Sequence, residues 1–426
     1  MLIEFKVANF RSIREEQTLS LVASRADKDL ESSLIDAELP GMANTKYLRG
    51  AAIYGHNASG KTNILLAFEF LTDFVKNSAV GLQPGDLTGV EPFKLDLESR
   101  EAPSRFETTF VAEGVRYLFG LSLTPVRVIE EYLIAYPNGL PQKWYRRLYN
   151  DRTQEYDWDK PSPNFHADGS LHEKTRGNSL FLSVGPQFND AQLTVVYRWF
   201  RSNVHVLRLS GDYTLQPGFT AQLLHDGKEA KGILNLLRSA DIAIVDASVE
   251  EQESDIEDMK ELFSPKAFAE LAKANKKALE VKLRHCAGNS PPVQLDYAKE
   301  ESAGTRRLFA LAGPWMDIIN HGYLVFIDEM ETSLHPLLVK ELVKLIQNAE
   351  SNSLGAQVVF TTHSPTLLDT ELLRRDQIWF TEKDENGATK LYPLSDYQPR
   401  KGEAIAKGYL AGRYGAVPFI PEGLQL

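Results

Sequence analysis

The stretch Ile53–Leu65, IYGHNASGKTNIL, leaves the backbone few choices. It fits the pattern G-x-x-x-x-G-K-[ST], with Gly55, Gly60, Lys61 and Thr62 in the fixed places and His56, Asn57, Ala58 and Ser59 between the glycines. In such a loop the glycines let successive backbone N–H groups turn inward around phosphate oxygens. The lysine reaches the terminal phosphates and the threonine hydroxyl binds Mg²⁺. The flanks meet the demand of the motif. LRGAAIY reads as a short buried strand, and KTNILLAFEFLTDFV, with Asn63 in its first turn, as a helix whose positive N-terminus faces an anion. The expectation is a strand, a loop around a nucleoside triphosphate, and a helix.

A chain of 426 residues, 43% hydrophobic, can bury one large core or two modest ones. No run of about 18 apolar residues is present, so no membrane span is expected. MLIEFKVANFRSIREE lacks the apolar centre and cleavage site of a signal peptide, and the expected location is the cytoplasm. One cysteine, Cys286, excludes an internal disulfide and a cysteine-rich zinc site, and is expected in or near the core. A net charge of −11 disfavours a chain coated with basic, nucleic-acid-binding surface, while leaving room for a local basic groove.

The chain begins with a strand, LIEFKVANF, a turn and a second alternation, EEQTLSLVA. From about Leu87 to Ala135, short β-like runs separated by turn signals predict an antiparallel β subdomain beside the first strands. Between Leu140 and Ala287 the pattern turns polar and helical. Within it, VEEQESDIEDMKELFSPKAFAELAKANKKALEVKL reads as two helices broken near Ser264 and Pro265, with a solvated acidic face. From Tyr297 a β/α alternation returns: helix TRRLFALAGPWMDIIN, strand YLVFIDE, helix LLVKELVKLIQNAE, strand QVVFTTH, a further helix, strand QIWFTEK. A parallel sheet with helical crossovers satisfies that order. The expected division is 1–139, 140–287 and 288–426. QKWYRRLYNDR, with Lys143, Arg146, Arg147 and Arg152 among Trp144, Tyr145 and Tyr149, reads as a half-buried strand with a basic outer face rather than a base-stacking surface.

Three further segments carry chemistry. Leu324 to Ile327 make a strand buried on both faces that ends in Asp328 and Glu329. A carboxylate at that strand end can hold Mg²⁺ while the next polarises the attacking water of an in-line phosphoryl transfer, which assigns Asp328 to the metal with Thr62 and Glu329 to the general base. QVVFTTHSP ends another apolar strand in Thr361, Thr362 and His363, where a histidine can hydrogen-bond a γ-phosphate and sense its charge. In EESAGTRRLFALAG, Ser302, Ala303, Gly304 and Thr305 precede an apolar-faced helix, offering a hydroxyl and free N–H groups at its N-terminus.

NFRSI, GHNASGKTN, ESAGTRRL, IDEMETSLHP and VVFTTHSP, in this order, resemble the ABC-type ATPases shared by SMC, RecF and OLD-family proteins. The chain looks most like the prokaryotic AAA-fifteen (RloA-like) group, which occurs in anti-phage defence, including PARIS systems. EPFKLD, TRGNSLFLSVGPQFN and YLAGRYGAVPF share in that likeness. The resemblance implies an α/β fold, an ABC-type P-loop ATPase head with a mixed or parallel sheet, flanking helices and an antiparallel β subdomain, plus a mainly helical insertion. It implies ATP with Mg²⁺, Arg11 and Ser12 near the nucleotide, His363 as switch histidine, and Ser302, Ala303 and Gly304 as a signature acting in trans. The signature departs from the transporter form L-S-G-G-Q in having Ala303 in the middle and Thr305 in place of a second glycine.

The resemblance further implies a homo-oligomer built from ATP-sandwich dimers that hydrolyses ATP and controls a separate effector, a nuclease in a defence operon. About sixty residues come after the histidine, too few for the metal-dependent nuclease of OLD-family chains, so a nuclease is expected on another polypeptide. The alternatives are a RecF- or SMC-like repair ATPase on duplex DNA, with nucleic acid as partner, and a transporter motor. The roughly 150-residue insertion lacks sustained heptads, which counts against a long SMC coiled coil. No glutamine soon after the phosphate loop marks a transporter.

Overall fold

Apolar runs without alternation need cover on both faces, and this chain builds three of them into the middle of one sheet. The computed structural model describes residues 1–208, 215–240, 243–252, 278–286, 291–400 and 402–418. Its contacts divide the chain into two units, one of Met1–Ser210, His321–Glu331 and Lys340–Leu426, the other of Gly211–Asn320 and Thr332–Val339.

The strands of the N-terminal half are β1 (Leu2–Ala8), β2 (Gln17–Ser20), β3 (Ile35–Asp36), β4 (Lys46–Tyr47) and β5 (Gly50–Tyr54). They continue with β6 (Ser104–Ala112), β7 (Val115–Leu123), β8 (Val128–Tyr136), β9 (Gln142–Asn150), β10 (Glu155–Trp158) and β11 (Val204–Arg208). The second unit holds β12 (Ile244–Gln252), β13 (Ala278–His285) and β14 (Val293–Asp296). The chain then returns to the first unit for β15 (Leu324–Asp328), β16 (Gln357–Thr362), β17 (Ile378–Lys383) and β18 (Thr389–Pro393).

Two sheets make the first unit. A seven-stranded one runs β10-β9-β8-β7-β6-β1-β2, antiparallel throughout. A six-stranded one runs β11-β15-β16-β5-β17-β18, parallel except for the last strand. The sequence pattern accounts for both: β6 alternates buried and partly exposed positions, whereas every residue of β5, β15 and β16 is buried. Helix Lys61–Gly81 joins the two cores. Its Phe68 stacks on Phe326 of β15 at 4.3 Å and meets Phe5 of β1 edge-on at 4.9 Å.

In the second unit β12, β13 and β14 form an antiparallel sheet. Helix Ala303–His321 buries Leu308, Phe309, Leu311 and Trp315, and Thr220 ties its interior, accepting from Gly313 N–H at 3.1 Å. Cys286 is partly exposed after β13.

Several expectations change. Within residues 140–287 the described helices, Ser170–Lys174, Phe181–Gln187, Ala191–Arg198, Gly218–His225 and Ala230–Ala240, alternate with strands: β9 and β10 extend the seven-stranded sheet, β11 edges the six-stranded one, and β12 and β13 pair in the second unit. Strand pairing continues across the turn after Tyr136, so no boundary falls at 139. The charge-dense segment starts in β12 and ends in β13, and its break near Ser264 and Pro265 lies outside the described residues. The helix expected after His363 is two 3₁₀ turns, Pro365–Leu367 and Arg375–Gln377. Tertiary partners take its polar groups: Asp369 pairs with Lys340, and the Arg374 guanidinium binds Asp376 and the carbonyls of Asp29, Ser24 and Asp27. The basic strand is β9, but Arg147 faces inward, wholly buried against Glu131, while Leu148 points out. A register shift between Leu133 and Ile134 of β8 separates the two ends of β9 in phase.

Candidate functional site

The first five strands of the six-stranded sheet run in parallel, so the ends of β15, β16 and β5 share one edge, where open α/β sheets bind ligands. The loop Gly55–Gly60 leaves β5 there. Ala58 and Gly60 both take positive φ, +63° and +103°. A Cβ on Gly60 would lie 2.0 Å from Thr389 Oγ1, and one on Gly55 would lie 2.4 Å from both Ser59 Oγ and Thr381 Oγ1. Only glycine tolerates that approach. The buried Ser59 bonds Thr381 Oγ1 at 2.7 Å, and Thr389 Oγ1 donates to Ser59 O at 3.1 Å. β17 and β18 thus brace the loop through two threonines that no motif announced. His56 Nδ1 bonds the carbonyl of Asn57 at 2.6 Å, and Asn57 and Ala58 are exposed.

Ser12 joins this brace. Its Oγ accepts from Asn63 Nδ2 at 2.6 Å and bonds Thr389 Oγ1 at 2.8 Å. Arg11 is held differently: its guanidinium pairs with Glu91 at 2.8 Å, and its N–H donates to Glu91 O at 2.7 Å.

Lys61 is buried and folded back on its own loop, donating to Gly55 O at 2.7 Å and His56 O at 3.1 Å. Burial pulls its pKa down to about 8, against the upward pull of Asp328, Glu329 and Glu331. Thr62 Oγ1 donates to Asp328 Oδ1 at 3.2 Å, and Thr361 Oγ1 donates to the same oxygen at 2.7 Å. Two hard oxygen donors, a hydroxyl and a carboxylate, converge here, which suits Mg²⁺ and not a softer metal. Among the described residues no cluster of three or more His, Cys, Asp or Glu forms a metal site.

Glu329 comes next with φ +50°, a left-handed conformation that side chains rarely adopt. Thr361 holds it there, accepting the Glu329 N–H on Oγ1 at 2.7 Å and the Met330 N–H on its carbonyl at 3.1 Å. The His363 backbone N–H donates to Glu331 Oε1. Burial first, then Lys61, holds the His363 pKa below the usual histidine range, while Glu331, Glu329 and a backbone hydrogen bond at Gly55 oppose them. Arg208, level with Asp328 in the register of β11, pairs with Glu69 of the phosphate-loop helix.

Asp328, Thr62, Lys61 and His363 therefore meet at one sheet edge. Thr361, Glu331, Thr381, Thr389 and Arg208 were missed. The acidic repeat in IDEME was the one available signal for Glu331. Ser302, Ala303 and Gly304 belong to the second unit. There Ser302 caps helix Ala303–His321, accepting from Thr305 N–H at 3.1 Å, and both Ser302 and Ala303 are exposed.

A phosphate loop after β5, a carboxylate pair at the end of β15 and a histidine after the strand between them define a P-loop ATPase. Residues 51–369, most of the chain, match the family model described as "AAA domain, putative AbiEii toxin, Type IV TA system". The chain belongs to that family of AAA ATPases. No curated protein matches it. Similar solved structures include an SMC head bound to the C-terminal winged-helix domain of ScpA, at 13% identity and a TM-score of 0.45, covering 92% of this chain and 97% of that one. The SMC head domain from Thermotoga maritima gives 13%, 0.40, 92% and 98%. An SMC head with an extended coiled coil, bound to the C-terminal domain of ScpA derived from Pyrococcus furiosus, gives 11%, 0.41, 97% and 99%. At these scores the likeness is remote. No helix among the described residues is long and apolar enough to cross a membrane.

Proposed function

We propose that two copies of this chain close around ATP and Mg²⁺, hydrolyse the nucleotide to reopen, and use the closed state to hold or release a partner effector in anti-phage defence. This places the chain with the RloA-like, OLD-related ATPases, in the cytoplasm. The partner is a separate nuclease. The family description, which names a type IV TA system, suits a chain that acts on an effector.

The convergence of Thr62, Asp328, Glu329 and His363 on the phosphate loop supports hydrolysis at this edge. Thr62 and Asp328 would hold Mg²⁺, which when bound neutralises charge developing on the phosphates. Lys61 exchanges its two carbonyl partners for phosphate oxygens, a stronger charge-assisted pairing. Glu329 takes the proton of the attacking water. His363, whose pKa burial and Lys61 hold below the usual histidine range, donates one hydrogen bond to the γ-phosphate.

The observation that carries the dimer is the exposed start of helix Ala303–His321: Ser302 and Ala303 face solvent at a helix N-terminus able to bind an anion. ATP bridging two copies binds the closed form better than the open one and so shifts the population. Glu329→Gln is expected to bind ATP, turn over at least about a hundredfold more slowly and accumulate closed dimers. Lys61→Ala is expected to bind ATP poorly. Steady-state hydrolysis and direct nucleotide binding check both, and wild-type turnover in Glu329→Gln sinks the base assignment.

A further inference from the structure

Two turns extend from neighbouring strands, one bearing Glu329 after β15 and one bearing His363 after β16, and they must keep a fixed spacing while nucleotide comes and goes. Thr361 secures the first turn from below. Glu331 bridges the two: its Oε1 accepts the His363 backbone N–H, while its Oε2 is buried with no hydrogen-bond partner among the described residues.

Glu131, in the same unit, shows how this chain treats a carboxylate with a purely structural task. Both its oxygens are saturated, by Tyr145 Oη and Leu182 N–H on one and by Arg147 Nε and Phe181 N–H on the other. A buried polar atom left bare is costly and calls for a function. Glu331 lies where its charge acts on Lys61, His363 and the buried Tyr54 hydroxyl, which also lacks a partner among the described residues.

We infer that Glu331 is a positioning residue for ATP hydrolysis, clamping the His363 backbone to the turn that carries Glu329 so that base and γ-phosphate ligand hold their separation in the transition state. The inference rests on Glu329 acting as base and His363 as phosphate ligand. Glu331→Gln keeps an oxygen to accept the His363 N–H while removing the charge, so it separates the clamp from the charge. Its amide N–H groups take the place of Oε2, which has no partner among the described residues, so the comparison is made at matched melting temperature. Displacing a reacting group by about 1 Å can cost a hundredfold in rate.

Glu331→Ala is expected to lower kcat by about ten- to a hundredfold with KM for ATP and melting temperature near wild type, and Glu331→Gln to recover most of kcat. Equal loss of kcat in both variants would overturn the clamp, since charge and not the acceptor would then matter. So would a fall in activity that only tracks a fall in folded protein. Glu329→Gln assayed alongside separates the two ideas: wild-type turnover there removes the base assignment, whereas the Glu331 alanine–glutamine contrast is read on its own kcat and KM.

Discussion

Lys61 shows how a single side chain couples site and stability. Its folded pKa of about 8 lies below the ordinary lysine value of 10.5, so between those two pH values the folded chain binds fewer protons than the unfolded one. The cost of burying the ammonium is fully present below about pH 8 and fades as pH rises from there towards 10.5. From this residue alone, the nucleotide-free protein gains stability across that window, and melting curves of Lys61→Met should lack the gain. Binding responds in the opposite sense. Phosphates favour the charged amine, so ATP affinity is expected to fall once pH passes about 8, and titration calorimetry at pH 7 and 9.5 in wild type and Lys61→Met checks it. The histidine adds an acid-side effect: with its folded pKa lowered, stability from His363 is lost as pH falls below 6.5, where the unfolded chain takes the proton first. Lys61 was legible because a phosphate loop is a local backbone solution. Glu331 was not, because its value lies in a hydrogen bond to a residue 32 positions on, across a strand order that no motif spells.

The same contrast recurs in β8, β9 and helix Phe181–Gln187. Glu131 and Arg147, both wholly buried, form an ion pair at 2.8 Å, and Glu131 also satisfies two N–H groups at the helix start. Glu131→Ala leaves the guanidinium buried beside uncapped N–H groups, and the expected loss is about 3–5 kcal/mol, read from the midpoint of denaturant unfolding. Glu131→Leu with Arg147→Leu should recover part of it, because no charge is then stranded. Period-two alternation identified the strand. It could not reveal that Arg147 turns inward, because the extra residue in β9, Trp144 at the register shift with β8, and the arrival of residues 176–182 create the pocket that receives it.

For the assembled protein, the proposed sandwich makes a hydrodynamic demand. Glu329→Gln at saturating ATP and Mg²⁺ is expected to sediment at twice the chain mass of 47.8 kDa and to return to single chains with ADP. Ser302→Arg should bind ATP as a single chain, losing about 1 kcal/mol through the missing cap of its helix. Dimers of Ser302→Arg as stable as those of Glu329→Gln would remove the trans role of Ser302. The parallel sheet was foreseeable from the β/α alternation after Tyr297. Its completion by β11 and β18, and the addition of β10 to the antiparallel sheet, were not, since short runs of mixed polarity fit strand or helix equally until a neighbour covers them.

Sequence alone established the phosphate loop, the carboxylates ending β15 and the histidine after β16, because each depends on a few consecutive residues whose backbone needs are local. Folding in three dimensions settled everything that needs two distant segments at once. It set the order that puts β16 between β5 and β15, the threonines of β17 and β18 under the loop, and the link from Glu331 to His363. Side-chain chemistry names what a residue can bond, but only the packing of sheets and helices says what comes within reach.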